Sequence, residues 1–388
     1  MFDHEYLNKD HLNGFDNYKY SVIDTNPLGV YIMHPFWNTI IKFTPRWIAP
    51  NLLTFVGFLF TVAASLLLSY YDYGFYASGS LYKGTPIPNW VFGVVSLFMF
   101  ISYSLDGLDG KQARRTGTSS PLGELFDHGL DSWTTVFIPT ALYSIFGRDD
   151  PTTIQPIRMY LICLMVFINF YLAHWEKYNT GVLYLPWSYD FSMVGLVFFF
   201  AITAFVGPEK WKMTVIKELS FGHVTEITFY FATFIANVPV SIYNIYVCYR
   251  DKTGKNLSLY EGNRPLIPLT VFLSLCLIWI KFSPTNILER DPRMFFMMSG
   301  AIFSNISCRL IVAQMSKTRC AGHNTLLTYL AIAIATSIVL PSFELMVMYV
   351  MAILSFMTHI HYGANVVKQM ADHFNIKCFK IPITKNAK

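Results

Sequence analysis

Long apolar runs separated by short polar stretches dominate this chain of 388 residues, and few of them alternate in the way a half-buried strand would. A helix needs roughly 20 mostly apolar residues to cross the hydrocarbon core of a bilayer. Segments near 47 to 70, 89 to 109, 129 to 147, 155 to 175, 189 to 207, 226 to 248, 265 to 282, 293 to 315, 324 to 341 and 344 to 362 meet that criterion. The pattern predicts an all-α, polytopic integral membrane protein of about ten transmembrane helices. An even number of crossings places both termini on one side. If that side is the cytosol, it receives 19 of the Lys and Arg residues against 9 on the other, with Arg309 inside a span. This is the direction of the positive-inside rule, although Lys210, Lys212 and Lys217 run against it.

Ahead of the first span, His34, Pro35, Phe36, Trp37, Ile40, Ile41 and Phe43 form an apolar stripe interrupted by Asn38 and Lys42. This predicts a short amphipathic helix lying in the membrane interface or packed against the bundle. No basic segment followed by an apolar core opens the chain, so no cleavable signal peptide is expected. With no internal repeat, the expected organisation is a cytosolic N-terminus with the interfacial helix over 1–46, one transmembrane domain over 47–362 and a cytosolic basic tail over 363–388.

Composition sharpens the membrane reading. Hydrophobic residues make up 53% and charged residues 14%, with a mean hydropathy of +0.39, which excludes an ordinary soluble chain. The 34 Phe, 24 Tyr and 8 Trp exclude disorder. A net charge of +5 is too modest to suggest a nucleic-acid partner. Lysines 368, 377, 380, 385 and 388 are expected to favour anionic lipid on the cytosolic face. Six cysteines without a CxxC pair indicate neither a zinc site nor a disulfide framework.

Chemistry concentrates between Ser104 and Trp133, in SLDGLDGKQARRTGTSSPLGELFDHGLDSW. Ionisable residues at the edge of a span are costly and are functional candidates by default. Asp106 and Asp109 are three apart and Asp127 and Asp131 four apart, so each pair shares a helical face. The Thr, Ser, Gly and Pro between Arg115 and Leu122 predict a turn that folds one pair onto the other. Four converging carboxylates call for cations. With carboxylate as the evident ligand, hard Mg²⁺ or Mn²⁺ is preferred over zinc or copper. Two such ions, roughly 3.5 to 4 Å apart, would clamp a diphosphate, and Lys111, Arg114 and Arg115 supply positive charge on the same segment.

The spacing D-x2-D-G-x2-A-R-x8-G-x3-D-x3-D is matched at every fixed position, by Asp106, Asp109, Gly110, Ala113, Arg114, Gly123, Asp127 and Asp131. In this the chain resembles the CDP-alcohol phosphotransferases. Over nearly its full length it is similar to their choline and ethanolamine branch, through FDNYKYSVIDTNPL, HPFWNTII, GKQARRTGTSSPLGELFDHGLDSW and HWEKYNTG, and most of all to the ethanolamine-transferring members. The resemblance implies transfer of phosphoethanolamine from CDP-ethanolamine to diacylglycerol, with phosphatidylethanolamine and CMP as products. A choline-preferring or dual-specificity enzyme using CDP-choline is the alternative within the class, and a transporter of a phosphorylated solute the alternative outside it.

The resemblance also implies roles. Asp106, Asp109, Asp127 and Asp131 would ligate two Mg²⁺ or Mn²⁺ ions, and Arg114 would hold the diphosphate. Gly110 and Ala113 would keep the helix surface low beneath the nucleotide, Asn51 would contact it, and Lys111 and Gln112 are further donor-binding candidates. His128 is the expected proton acceptor for the diacylglycerol hydroxyl. Glu176 is the candidate acid orienting it, or a contact for the donor's ammonium together with Asn179, against an aromatic cage drawn from Trp175, Tyr178, Trp187 and Tyr189. The expected setting is the endoplasmic reticulum or Golgi membrane with the site facing the cytosol. Membrane lipids and a second copy of the chain, as a homodimer, are the remaining expected partners.

Overall fold

The computed structural model describes residues 3–78, 84–148, 152–185, 187–216 and 219–381. Lys217, Lys385 and Lys388 lie outside them. The described chain is built from helices: α1 Lys9–Asp16, α2 His34–Ile40, α3 Pro50–Tyr71, α4 Asn89–Thr116, α5 Pro121–Phe146, α6 Pro156–Thr180, α7 Trp187–Val206, α8 Phe221–Phe231, α9 Val238–Asp251, α10 Leu259–Asn263, α11 Leu266–Phe282, α12 Ile287–Arg290, α13 Pro292–Ser316, α14 Thr325–Val339 and α15 Glu344–His373. Strand structure is limited to two short pairs. Val22–Ile23 runs parallel to Leu183–Tyr184, and Thr214–Ile216 pairs with Leu219–Ser220.

Each of the ten apolar segments coincides with a helix, but among the described residues eight helices are both long and apolar enough to cross a membrane. The expected count of ten is corrected for two physical reasons. In α5 the first half carries Glu124, Asp127 and Asp131, and α14 has only 15 residues. A π-helical stretch, Ala232–Asn237, joins α8 and α9 into one span, Phe221–Asp251. The last helix also continues past residue 362 to His373, so the expected tail begins inside a helix.

Local signals at the α4–α5 turn act as the sequence suggests. Gly117 closes α4 in the left-handed region (φ 67°), which costs glycine nothing. Ser120 then caps α5, its hydroxyl accepting from the Gly123 amide at 3.2 Å, and Pro121 occupies the first helical position, where no amide proton is needed. The turn brings the acidic end of α4 to the acidic start of α5. Helix α3 packs against both, and α7 packs on α4. Helix α13 runs through the centre of the bundle, against α5, α6 and α15. A Cβ on its Gly300 would lie 2.6 Å from the Val136 side chain of α5, so the glycine permits this close approach.

The helix before the first span packs against the bundle, the second of the two readings of its stripe. Met33, Trp37 and Ile41 are buried with Leu53, Tyr103, Leu108 and Met193, while Tyr31, Ile32, Phe43 and Trp47 are exposed. Trp37 lies flat on α4 where a Cβ at Gly107 would come within 2.2 Å of its ring. Further upstream, Leu7 and Phe15 are buried against Leu122, Leu125, Ile311 and Met370. The ion pairs Asp3–Lys368 and Asp16–His373, both at 2.8 Å, tie this end of the chain to α15. Parallel pairing of Val22–Ile23 with the strand after α6 then carries Tyr18, Tyr20 and Asp24 to the mouth of the α4–α5 hairpin.

Candidate active site

The α4–α5 hairpin opens into a cavity of about 1750 Å³. Asp106, Asp109, Asp127 and Asp131 all line it, together with His128, Asn51, Gly110, Lys111, Ala113 and Arg114. One ligand atom from each of Asp106, Asp109 and Asp127 falls within 4.8 Å of the others, and the same holds for Asp127, His128 and Asp131. The four carboxylates therefore converge as the spacing predicts, with Asp127 common to both groups. Asp109 is fixed by the Thr54 hydroxyl, which donates to Oδ2 at 2.6 Å, and Asp106 by the Tyr189 hydroxyl at 3.1 Å.

The donor set fits a divalent cation. Asp127 Oδ1 and Glu124 Oε2 are buried without a hydrogen-bond partner among the described residues. A buried, unpaired carboxylate oxygen beside other carboxylates is costly unless a cation or a donor faces it. Oxygen ligands of this kind are the ones hard cations take.

The basic residues divide by role. Arg114 lines the cavity, and its side chain makes no hydrogen bond or ion pair among the described residues, the guanidinium lying 3.5 Å from where a Cβ on Gly110 would stand. Lys111 lines the cavity but donates to Asn38 at 2.8 Å. Gln112 is fully buried and holds the carbonyls of Pro45 and Ile48, at 2.9 and 3.0 Å. Arg115, expected to add charge for phosphate, instead donates to the carbonyls of Ile41 and Thr44, both at 2.6 Å. Arg115 and Gln112 are thus occupied in fixing the segment between α2 and α3. Asn51 sits at the start of α3 with its amide donating to Cys378 at 3.4 Å.

His128 lies between the carboxylates. Its Nδ1 is 3.6 Å from Asp131 and 3.8 Å from Asp127, and its Nε2 is 4.0 Å from Glu124. Glu176 is not beside it. The Glu176 carboxylate accepts from Ser241 at 2.6 Å and Asn244 at 2.7 Å, both on α9, and it lies outside the cavity wall. Helical phase explains the correction. His174, two residues earlier on α6, faces His128 with ring centroids 5.2 Å apart, and a step of two residues turns the side chain through about 200°.

Glu124, one turn before His128 on α5, occupies the place expected of Glu176. Its Oε1 accepts from Lys177 at 2.5 Å and from Tyr18 at 2.6 Å. Burial and the neighbouring carboxylate push the Tyr18 hydroxyl well above the ordinary phenol range, so it remains a donor. Burial and the same carboxylate act likewise on Tyr20. The i, i+4 spacing of Glu124 and His128 was the available signal for this contact.

The candidate cage for the head group does not assemble. Trp175 and Asn179 donate to the carbonyl of Gly262, at 2.8 and 3.1 Å, and the Tyr178 hydroxyl accepts from the Cys320 amide at 3.2 Å. Trp187 donates to Thr25 at 2.8 Å. Of these groups only Tyr189 lines the cavity. On the Tyr189 side of Asp106 the wall instead carries Asp190 and Asp24. Asp190 accepts from Tyr103 at 2.5 Å and Asn26 at 2.9 Å, and Asp24 lies 2.9 Å from His34. Away from the carboxylates the lining turns apolar, with Ile138, Leu142, Val166, Leu196, Phe199 and Phe229.

A cavity that joins carboxylates able to hold a cation to an apolar chamber, among helices long and apolar enough to cross a membrane, suits a polytopic metal-dependent enzyme. A model of the CDP-alcohol phosphatidyltransferases matches residues 47–238. Ethanolaminephosphotransferase 1 of Mus musculus is 46% identical over 384 residues, covering 98% of this chain and 96% of the relative, and that of Homo sapiens 45% identical over 383 residues, with the same coverage. Choline/ethanolaminephosphotransferase 1 of Arabidopsis thaliana is 30% identical over 400 residues, covering 97% of this chain and 98% of the relative. The chain belongs to the CDP-alcohol phosphatidyltransferase family. Membership sets aside the transporter alternative.

Proposed function

We propose that this protein transfers phosphoethanolamine from CDP-ethanolamine to diacylglycerol and releases CMP. The observation that carries the reading is the single cavity, which brings the four aspartates and His128 to one end and an apolar chamber to the other. A nucleotide diphosphate belongs at the first and acyl chains at the second. Asp106, Asp109, Asp127 and Asp131 would hold two Mg²⁺ or Mn²⁺ ions. When bound, such ions neutralise charge on the diphosphate and on the leaving CMP.

The remaining steps fall to side chains. Arg114 and Asn51 orient the nucleotide, and Gly110 and Ala113 leave it room to approach α4. His128 takes the proton of the diacylglycerol hydroxyl as that oxygen bonds to the phosphorus bearing ethanolamine. The bond from that phosphorus to the CMP oxygen breaks, and CMP departs with the electron pair. Glu124, held by Lys177 and Tyr18, stands behind the imidazole, and Glu176 serves the packing of α6 on α9.

A primary ammonium donates hydrogen bonds to carboxylates, whereas a trimethylammonium group relies on aromatic faces. Asp24 and Asp190 beside Asp106 therefore favour ethanolamine. Residues 47–362 form the phosphotransferase domain, and residues 1–46 and 363–388 serve its cytosol-facing mouth. The setting is an endoplasmic reticulum or Golgi membrane, with the expected homodimer as its assembly. Head-group choice is tested by giving the purified protein equimolar CDP-ethanolamine and CDP-choline with diacylglycerol. Phosphatidylethanolamine is expected to exceed phosphatidylcholine at least about tenfold, a discrimination within reach of a few polar contacts. Equal products identify a dual-specificity enzyme, and an excess of phosphatidylcholine overturns the ethanolamine assignment.

A further inference from the structure

Beyond α15 the chain turns back over the carboxylate cavity. Phe379 packs on Phe55 of α3 and Phe126 of α5, with ring centroids 5.7 and 5.5 Å apart. Cys378 accepts from Asn51, and the Lys380 amide donates to the Lys377 carbonyl at 3.2 Å, closing a turn. This strap places Lys377 and Lys380 on the cavity wall. Lysines at the end of a membrane protein are ordinarily read as contacts for anionic lipid, and these two, though exposed, also border the cavity.

We propose that the C-terminal strap is part of the donor site, with Lys377 and Lys380 binding the anionic nucleotide portion of the CDP-alcohol and of the CMP product. The inference rests on the phosphotransferase reading above. Among the described residues, four Lys and Arg side chains line the cavity: Lys111, Arg114, Lys377 and Lys380. Lys111 is already engaged by Asn38, so the strap supplies two of the three cations available to a phosphate. It crosses the start of α3 and rests on α5 through Phe379, close to Asn51 and Ser120 of the cavity wall. Lysine acts on phosphate as a mobile point charge, which suits a group that must hold the donor and then let CMP leave. The Asn51 amide meanwhile spends its proton on a thiol, a weak acceptor that a nucleotide oxygen readily replaces.

The test uses the full-length protein in vesicles of phosphatidylcholine, which carry no net charge. Lys377→Ala combined with Lys380→Ala is expected to raise the KM for CDP-ethanolamine about tenfold, as loss of charge-assisted contacts would, with the KM for diacylglycerol unmoved. CMP affinity, measured by calorimetry on the purified protein with Mg²⁺, should weaken by a similar factor. Phe379→Ala, which keeps both lysines but frees the strap, should move both quantities in the same direction, and Lys377→Arg with Lys380→Arg should restore them. A donor KM and CMP affinity within twofold of wild type in the double alanine variant overturn the proposal. So does a defect seen only when the vesicles contain anionic lipid, which assigns the lysines to the membrane. Wild-type protein that turns over no CDP-alcohol overturns the phosphotransferase reading and this inference together. An active wild type with an unaffected variant overturns the strap alone.

Discussion

Asp131→Asn is expected to lower turnover at least about a thousandfold, roughly 4 kcal/mol of lost transition-state stabilisation, while leaving the protein folded. The substitution keeps the side chain's shape and removes the charge that a divalent cation requires. Asp131 is the cleanest of the four carboxylates for this purpose. Its side chain is 28% exposed and accepts no hydrogen bond among the described residues, with His128 Nδ1 3.6 Å from its Oδ2. Asp109, by contrast, is buried and bound by Thr54, so changing it also disturbs the contact between α3 and α4. Thermal unfolding of the Asn variant in detergent should match wild type, and added Mg²⁺ or Mn²⁺ should raise the melting temperature of wild type more than that of the variant, because a ligand stabilises in proportion to its affinity for the folded state. Retention of more than about a tenth of wild-type activity contradicts the assignment of Asp131 as a ligand.

His128→Gln is the second large effect. Loss of a general base costs about a hundredfold to ten-thousandfold in kcat, and the donor KM should change little because in the proposed reaction His128 acts on the acceptor hydroxyl. Two companion variants separate the acids. Glu124→Gln weakens the charge behind the imidazole and disturbs the contacts with Lys177 and Tyr18, so kcat should fall about tenfold. Glu176→Gln keeps an oxygen to accept from Asn244 and offers an NH2 that can donate to the Ser241 hydroxyl, and kcat should stay within about threefold of wild type, as for a residue outside the reacting groups. A loss at Glu176 as deep as that at His128 would restore Glu176 as the catalytic partner.

The apolar pattern located all the main helices because each needs a long greasy run, and such runs are local features. The carboxylate hairpin was legible for the same reason: Gly117, Ser120 and Pro121 encode the turn, and the i, i+3 and i, i+4 spacings encode the shared faces. Helical phase carries further local information. Counting from His174 shows that Glu176 faces away from it, and counting back four residues from His128 reaches Glu124. Neither Lys177 nor Tyr18, which hold Glu124, carries any local mark of that contact.

What the pattern did not show are the pieces that reach the cavity from far away in the chain. Pairing of Val22–Ile23 with Leu183–Tyr184, the seating of Trp37 on Gly107 and the return of Phe379 to Phe55 and Phe126 are set by shape complementarity between distant segments. Periodicity within a window does not report such contacts. For that reason residues 1–46 and the basic tail read as appendages, although both contribute side chains to the cavity wall.

The central claim is that this cavity joins a CDP-alcohol to a diacylglycerol hydroxyl. Its most direct test is product analysis with purified full-length protein, CDP-ethanolamine, diacylglycerol and Mg²⁺ or Mn²⁺. Phosphatidylethanolamine and CMP should appear in equal amounts, and chelation of the cation should stop both. Absence of turnover with CDP-ethanolamine and with CDP-choline alike, in protein shown to be folded, would contradict the account.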